Sequence, residues 1–387
     1  MIWLSLTVPV IGIFLMYYWF RKKFQIKDLL IPLGICLVLT CALKLIGEET
    51  QVSCIEYEGD LGYKAQYYEP WSTWVDQTCA RQVACGTDSK GNTQYCTKSY
   101  DCSYCSDHGA DYYLVDYSGH KFDISVTYYN YLTKKWSATP KFVELARDID
   151  HHGSCGVDGD LYEIFWDRKV LTSVPTTWTH IYENRVKVSS SAFRYPTVSE
   201  QDKQMYGLYD YPEVKGFNQQ SVLGAEQFSW LSPVDKVLAE KYCQYLCGYY
   251  GPRKQLKLWV LLYKNQPSLS ADMQEAYWNN GNKNEMVVCI GLDSVSRKIQ
   301  WVRPFSWTTN RTLLADIRED LMEIGDYDFL RIYPVLSKNL SSFERRHFKE
   351  FKYLSVQSPT WAIVLTYILN LIVTGLYGYL RFIRGSF

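Results

Sequence analysis

Three apolar runs, two opening the chain and one near its end, bracket a long polar middle, and a soluble single-domain fold has no place for all three. Ile2 to Phe20 reads IWLSLTVPVIGIFLMYYWF, 19 residues without a charge. As a helix it is long enough to cross a hydrocarbon core of about 30 Å. Leu29 to Ile46 follows, its one charge being Lys44 near the end, where a lysine stem reaches the interface. The third run is Trp361 to Leu380, with Trp361, Tyr377 and Tyr379 placed for the two membrane interfaces and Asn370 near mid-span. An amide at that depth marks a helix contact, with a partner expected on one of the first two spans. The mean hydropathy of −0.22 excludes a polytopic transporter. Because the basic residues follow the first run and no small-residue cleavage site closes it, a cleaved signal peptide is not expected.

Orientation follows from charge asymmetry. The connection RKKFQIKD carries Arg21, Lys22, Lys23 and Lys27, whereas GEETQVSCIEYEGD after the second run has five acids and no lysine or arginine. This places the N-terminus outside, the 21–28 loop in the cytoplasm, residues 47–358 in a periplasmic, extracellular or lumenal space, and the C-terminal tail in the cytoplasm. Arg345, Arg346, Lys349 and Lys352 before the third run argue the other way, and Ser342 to Tyr353 reads as an amphipathic interfacial segment that would reconcile them.

Of twelve cysteines, Cys36 and Cys41 lie inside the second span. The other ten are Cys54, Cys79, Cys85, Cys96, Cys102, Cys105, Cys155, Cys243, Cys247 and Cys289, an even set in an exported region, which reads as a disulfide framework. Seven precede residue 160 and three follow 240, so complete oxidation would tie the two parts together. Cys243 and Cys247 share a helix face but are poorly placed to bond each other, and buried free thiols are the alternative for them and for Cys289. A zinc site on Cys96, Cys102, Cys105 and His108 competes for the C-x2-C stretch, although its second half-site is missing.

Residues 47–229 are rich in cysteine and tyrosine, with strand-like runs at Lys121 to Tyr129 and Asp160 to Phe165. Val174 to Asn218 is polar with little pattern and reads as a long excursion or partner-binding arm. After residue 230 the pattern changes: an amphipathic helix from Pro233 to about Cys247, a strand at Gln255 to Tyr263, a helix at Ser270 to Trp278, strands at Glu285 to Leu292 and Lys298 to Arg303, and a helix at Arg311 to Ile324. The expected fold class is an α+β membrane protein, with three transmembrane helices, a β-rich exported domain and an α/β sandwich. The segments are 1–46 (helical hairpin), 47–229, 230–357 and 358–387 (last helix and tail).

The order of elements over residues 230–335, and the words AYWNNGNKNEMVVCIGLDSVSRKIQWV, resemble the TPM-type domain, a membrane-anchored module of thylakoid and bacterial envelope proteins. Gly281, Lys283 and Asn284 match its turn, and Arg297 with Lys298 its paired strand. Glu285 stands where that family has glycine, and Arg303-Pro304-Phe305 replaces its glycine-rich continuation. The resemblance implies either an assembly factor or a hydrolase using a divalent ion.

Chemistry is sparse. Asp148 to Asp160, DIDHHGSCGVDGD, combines His151, His152 and Cys155 with four acids, and offers a Cys/His pair or a metal cluster against a disulfide-pinned turn. His152 and Gly159 stand where a calcium loop needs carboxylates, so an EF-hand is excluded. No nucleotide-binding, serine-hydrolase or zinc-protease fingerprint occurs. The 41 basic and 41 acidic residues cancel, which excludes a general nucleic-acid binder. The expected function is a membrane-anchored exported binding or scaffold protein that assembles with other membrane or envelope components, self-associating through its helices or not, and needing no cofactor. The alternatives are a TPM-like metal-dependent hydrolase, phosphatase-like and using calcium or another divalent ion, and a Cys/His zinc protein.

Overall fold

The computed structural model describes residues 1–143, 155, 159–167, 173–189, 195–217 and 219–384. Helix α1 (Thr7–Phe20) continues a short 3-10 turn at Ile2–Leu6, and α2 (Ile26–Val52) returns beside it. A capping box between Gln25 and Asp28 starts α2, so the first orphan N–H groups of the helix are satisfied.

The chain passes from α2 without a linker into the 16-residue strand β1 (Ser53–Tyr68). There follow β2 (Trp71–Val75), β3 (Thr78–Thr87), β4 (Thr93–Asp101), β5 (Tyr104–His108), β6 (Asp111–Asp116) and β7 (Lys121–Asp123). Helix α3 (Val126–Lys135) is N-capped by Ser125. It begins where the apolar run from Lys121 to Tyr129 predicts continued strand, because Ser125 ends the extended segment and offers its hydroxyl to the N–H of Tyr128. Strands β8 (Lys141–Val143), β9 (Leu161–Phe165) and β10 (Val174–Glu183) complete the first half.

The sheet order is β7-β6-β1-β9-β8, with β10 paired to the opening half of β1. Val174 to Asn218 therefore does not begin as a free arm: its first ten residues form a strand in register with Ser53 to Gly62. Strands β3 and β4 form a separate two-stranded hairpin, exposed along almost its whole length.

Two short helices, α4 (Arg185–Val188) and α5 (Glu200–Met205), lead to β11 (Val222–Leu223), α6 (Pro233–Lys254), β12 (Lys257–Lys264), α7 (Leu269–Tyr277), β13 (Glu285–Leu292), β14 (Ile299–Ser306), α8 (Thr312–Ile324) and α9 (Phe329–Leu340). The second sheet runs β11-β12-β13-β14, parallel except for β14. Its two central strands, KLWVLLYK and EMVVCIGL, are apolar almost throughout because helices cover both faces. One core holds Leu258, Val260, Val288 and Ile290 with α6, α8 and α9; the other holds Trp259, Leu261, Val287 and Cys289 with α7. The sheet starts at Val222, before residue 230, and α9 is an element that the sequence reading lacks.

Helix α6 lies across β1. A Cβ at Gly251 would collide with the Gly59 backbone, and one at Gly248 with Leu61, so glycines on both elements permit the approach. Ser342 to Tyr353 is no amphipathic helix. It contains only a short 3-10 turn at Phe348–Phe351, and Phe351 and Leu354 are buried against Trp307 and Val186.

The last helix, α10 (Thr360–Gly378), belongs to an apolar helical span reaching Ile383. Three helices are thus long and apolar enough to cross a membrane. They pack as one bundle. Asn370, fully buried, holds its Nδ2 3.3 Å from the Ser5 carbonyl, 3.2 Å from Ser5 Oγ and 3.3 Å from Thr40 Oγ1, so it joins both other helices. At one end Asp28, also fully buried, accepts hydrogen bonds from Tyr377 Oη at 2.8 Å and Arg381 Nε at 3.0 Å.

Candidate functional site

The turn Trp278-Asn-Asn-Gly-Asn-Lys-Asn284 carries three successive left-handed residues, Asn279, Asn280 and Gly281, at φ 49°, 63° and 65°. Asparagine and glycine tolerate that region best, so this composition fits the bend. The bend delivers Asn282 to the junction between the two halves, where a cleft of about 510 Å³ opens. Its walls are Ile55 and Tyr57 from β1, Tyr211 from the segment before β11, and Tyr277 and Trp278 from the end of α7; Lys187 and Cys54 stand beside Asn282.

Asn282 organises the polar end. Its Oδ1 accepts from Lys187 Nζ at 3.0 Å and from Cys54 Sγ at 2.8 Å, and its Nδ2 lies 3.1 Å from the Ile55 carbonyl and 2.9 Å from Tyr211 Oη. Tyr211 donates to Glu285, which also accepts from the Asn282 N–H at 2.6 Å. Burial, with Glu285 adding to it, holds the Tyr211 hydroxyl well above the ordinary phenol range, so it remains a donor. Burial also pushes the Cys54 thiol up, against the pull of Lys187; this cysteine is a protonated hydrogen-bond donor rather than an activated nucleophile.

Behind the cleft, β1 presents Glu56, Glu58 and Asp60 at alternate positions, hence on one face, and all three are buried. Burial pushes Glu56 up to about 7 despite Arg345, whose Nη2 stands 2.8 Å from Glu56 Oε2. Glu58 is pushed to about 7 and Asp60 to about 6 by the same cause. His180 Nε2 stands 2.8 Å from Glu58 Oε2, yet neither atom has a hydrogen bond of adequate geometry. Lys283 is wholly buried, donates to the Glu183 carbonyl at 3.3 Å and faces the Phe348 ring, and desolvation lowers it to about 7. Burial thus favours the uncharged forms of these three carboxyls and of Lys283.

The cysteines divide. Cys79 pairs with Cys102, Cys85 with Cys96 and Cys105 with Cys155, each with a Cα–Cα separation of 5.7 Å. This corrects the zinc alternative: Cys96, Cys102 and Cys105 belong to three different bridges, and His108 stacks on Trp71 and lies 2.9 Å from Thr73 Oγ1. It also corrects the framework of ten, since Cys54, Cys243, Cys247 and Cys289 carry free thiols. Cys243 and Cys247 are buried on α6 and Cys289 in mid-sheet; Cys247 Sγ accepts from the Leu258 N–H at 3.3 Å, all three lie in the apolar cores, and no bridge ties the halves together. Among the described residues no group of three or more His, Cys, Asp or Glu side chains could hold a metal ion. The Asp148 to Asp160 segment lies outside the described residues, apart from Cys155, Gly159 and Asp160.

Sequence reading missed Lys187, Tyr211 and Asn282 as site residues. The one signal available was the alternation of acids in IEYEGD, together with the asparagine turn. Comparison with known proteins returns no matching family, no matching curated protein and no matching solved structure.

Proposed function

We propose that this chain is a membrane-anchored exported binding protein whose junction cleft receives a segment of a partner membrane or envelope protein. The observation that carries the reading is the cleft itself. Tyr57, Tyr211, Tyr277 and Trp278 offer aromatic area, the residue types enriched at protein interfaces, around one cation and one amide. An apolar side chain of the partner would insert between Ile55 and Trp278 and give a carbonyl or carboxylate oxygen to Lys187. The three apolar helices cross the bilayer, with residues 47–358 on the exported side; the three disulfides and the lysine- and arginine-rich 21–28 loop support that orientation. Cys54 is the second residue after α2, so an occupied cleft adjoins the membrane anchor directly. The succession β12, α7, β13, β14, α8 supports reading residues 230–335 as a TPM-like module serving assembly rather than hydrolysis.

The test is purification of the full chain from its own membranes in mild detergent. A stoichiometric partner is expected; Ile55→Arg, at an exposed position of the cleft, should release it with thermal unfolding unchanged, and Lys187→Met should weaken it. A lone monomer, or a partner indifferent to both substitutions, overturns the reading.

A further inference from the structure

The three-helix bundle is open on one side. Between α1 and α10 runs a groove of about 450 Å³ with almost wholly apolar walls, among them Val8, Leu15 and Leu371. A Cβ at Gly12 would meet Thr374 and one at Gly378 would meet Met16, so these two glycines let the helices close the base of the groove. A Cβ at Gly375 would meet nothing within 4 Å, so the third glycine leaves the groove open above that base.

The dimensions select the occupant. Val8 and Phe20 are twelve residues apart, as are Leu371 and Ile383, which gives the groove a length of about 18 Å. One leaflet of a hydrocarbon core about 30 Å thick is about 15 Å deep. The groove therefore runs the depth of one leaflet. A volume of about 450 Å³ over that length is a slot narrower than a helix with its side chains, which is about 10–12 Å across. It fits a single flexible chain.

The independent observation is the charge at one end. Phe20 and Ile383 are the last lining residues on the two helices, and the residues that follow them are Arg21 and Arg384, both exposed. Lys22 and Lys27 are exposed on the same connection. Asp28 is the one acidic side chain in residues 21–28 and 371–384, and it is buried under Tyr377 and Arg381. No acidic side chain of these segments is left to face the exposed cations. Trp19 and Tyr379, exposed rings of the kind that sit at headgroup level, line this end of the groove.

We propose that the groove holds one acyl chain of an anionic phospholipid whose headgroup meets Arg21 and Arg384. A zwitterionic lipid would fill the slot equally well and leave the cations without a counter-charge, and a partner helix is too wide for it. The proposal rests on the reading that the three helices cross a bilayer, and it is independent of the junction cleft.

The experiment uses the full chain. Its membranes are first washed with alkaline carbonate, which strips peripheral proteins; release of the chain would end the bilayer reading and the lipid site with it. The retained chain is then extracted into mild detergent containing equal amounts of phosphatidylglycerol and phosphatidylcholine with identical acyl chains, and weighed by native mass spectrometry. One retained lipid per chain is expected, with phosphatidylglycerol favoured at least tenfold. Arg21→Gln with Arg384→Gln should lower that preference at least fivefold while a lipid is still retained. Gly375→Leu places a good helix former where there is space, so it should abolish retention of both lipids with the thermal unfolding midpoint unchanged or raised. A membrane-retained chain that holds no lipid, equal retention of the two lipids, or undiminished retention in Gly375→Leu each overturns the proposal. So does a second copy of the chain that takes the place of the lipid and is lost in Gly375→Leu.

Discussion

Arg345, which lies before α10, and Glu56, which lies just after α2, form a buried ion pair at 2.8 Å, with the glutamate side chain fully inaccessible and the arginine 13% exposed. The guanidinium also sits 4.0 Å from the centre of the Tyr182 ring and donates to Gln255. One side chain therefore touches β1, β10 and the end of α6 at the place where the two halves meet. The two chain segments that leave the apolar bundle are clamped to each other here.

Removing the arginine strands a carboxylate in a site that water does not reach. At pH 8, Arg345→Met should cost up to about 3–5 kcal/mol, the usual penalty for orphaning one partner of a buried pair, less what Glu56 recovers by taking up a proton once the guanidinium that lowers it is gone. At pH 5 Glu56 is protonated, since burial places it at about 7, and the cost should shrink. Chemical denaturation of the wild type and the variant at both pH values measures this. Equal losses at both would show that the ion pair is not the relevant contact.

The acid row makes a signed prediction. Glu58 is raised to about 7 in the folded chain, so from its ordinary value near 4.5 up to 7 the folded state holds a proton that the unfolded state has released. Its stabilising contribution is complete below pH 4.5 and is lost as pH rises through 7. Glu56 and Asp60 slope the same way, whereas His180, lowered by burial, slopes oppositely below 6.5. Lys283, lowered to about 7, restores stability between 7 and 10.5. Glu58→Gln removes the Glu58 contribution and eases the repulsion on Glu56 and Asp60, both of which reduce the loss of stability with rising pH. Its unfolding midpoint relative to the wild type should rise between pH 5 and 8, and a constant difference would refute the assignment.

The stapled hairpin is predicted to be locally, not globally, stabilising. Among the described residues strands β3 and β4 pair only with each other, and a lone two-stranded hairpin is marginal in water. Cys79–Cys102 and Cys85–Cys96 supply what packing does not. With all four changed to serine, amide exchange across Thr78 to Asp101 should accelerate at least tenfold, while the midpoint of the body moves by less than about 2 °C. A large global loss would mean that the hairpin packs on the body.

How much of this was legible depended on where the residues lie. Strand β13 ends where its apolar run ends, because a strand buried on both faces needs an unbroken run. The three apolar helices were readable for the same reason. Strand β1 was not: GEETQVSCIEYEGDLGYKAQYY mixes acids and tyrosines, and its register comes from β10, more than a hundred residues away. The junction cleft was equally hidden. Lys187, Tyr211 and Asn282 lie far apart in sequence and meet only through tertiary packing, and apart from the asparagine turn that holds Asn282 no local pattern distinguishes them from surface residues.

Asn370 makes the bundle specific, because its amide bonds to both other apolar helices. Asn370→Val should weaken helix association by about 0.6–1.7 kcal/mol, the range measured for hydrogen bonds between membrane helices. Detergent-titrated unfolding of the full chain reads this out. An unchanged or raised midpoint would assign the cohesion to close packing instead, as at Gly47 against Ala362.

The thiol inventory can be counted directly. Alkylating the denatured, non-reduced chain should add six labels, at Cys36, Cys41, Cys54, Cys243, Cys247 and Cys289, out of twelve cysteines. In the folded chain Cys243, Cys247 and Cys289 are fully buried, which leaves Cys54 as the reachable thiol of the region between α2 and α10. Because burial raises its thiol above the ordinary range, labelling at neutral pH should be slow and should accelerate as pH rises. Peptide mapping distinguishes the alternatives. Four labels with Cys54 protected would mean that this thiol is bridged, and its hydrogen bond to Asn282, with the polar end of the cleft that depends on it, would have to be abandoned.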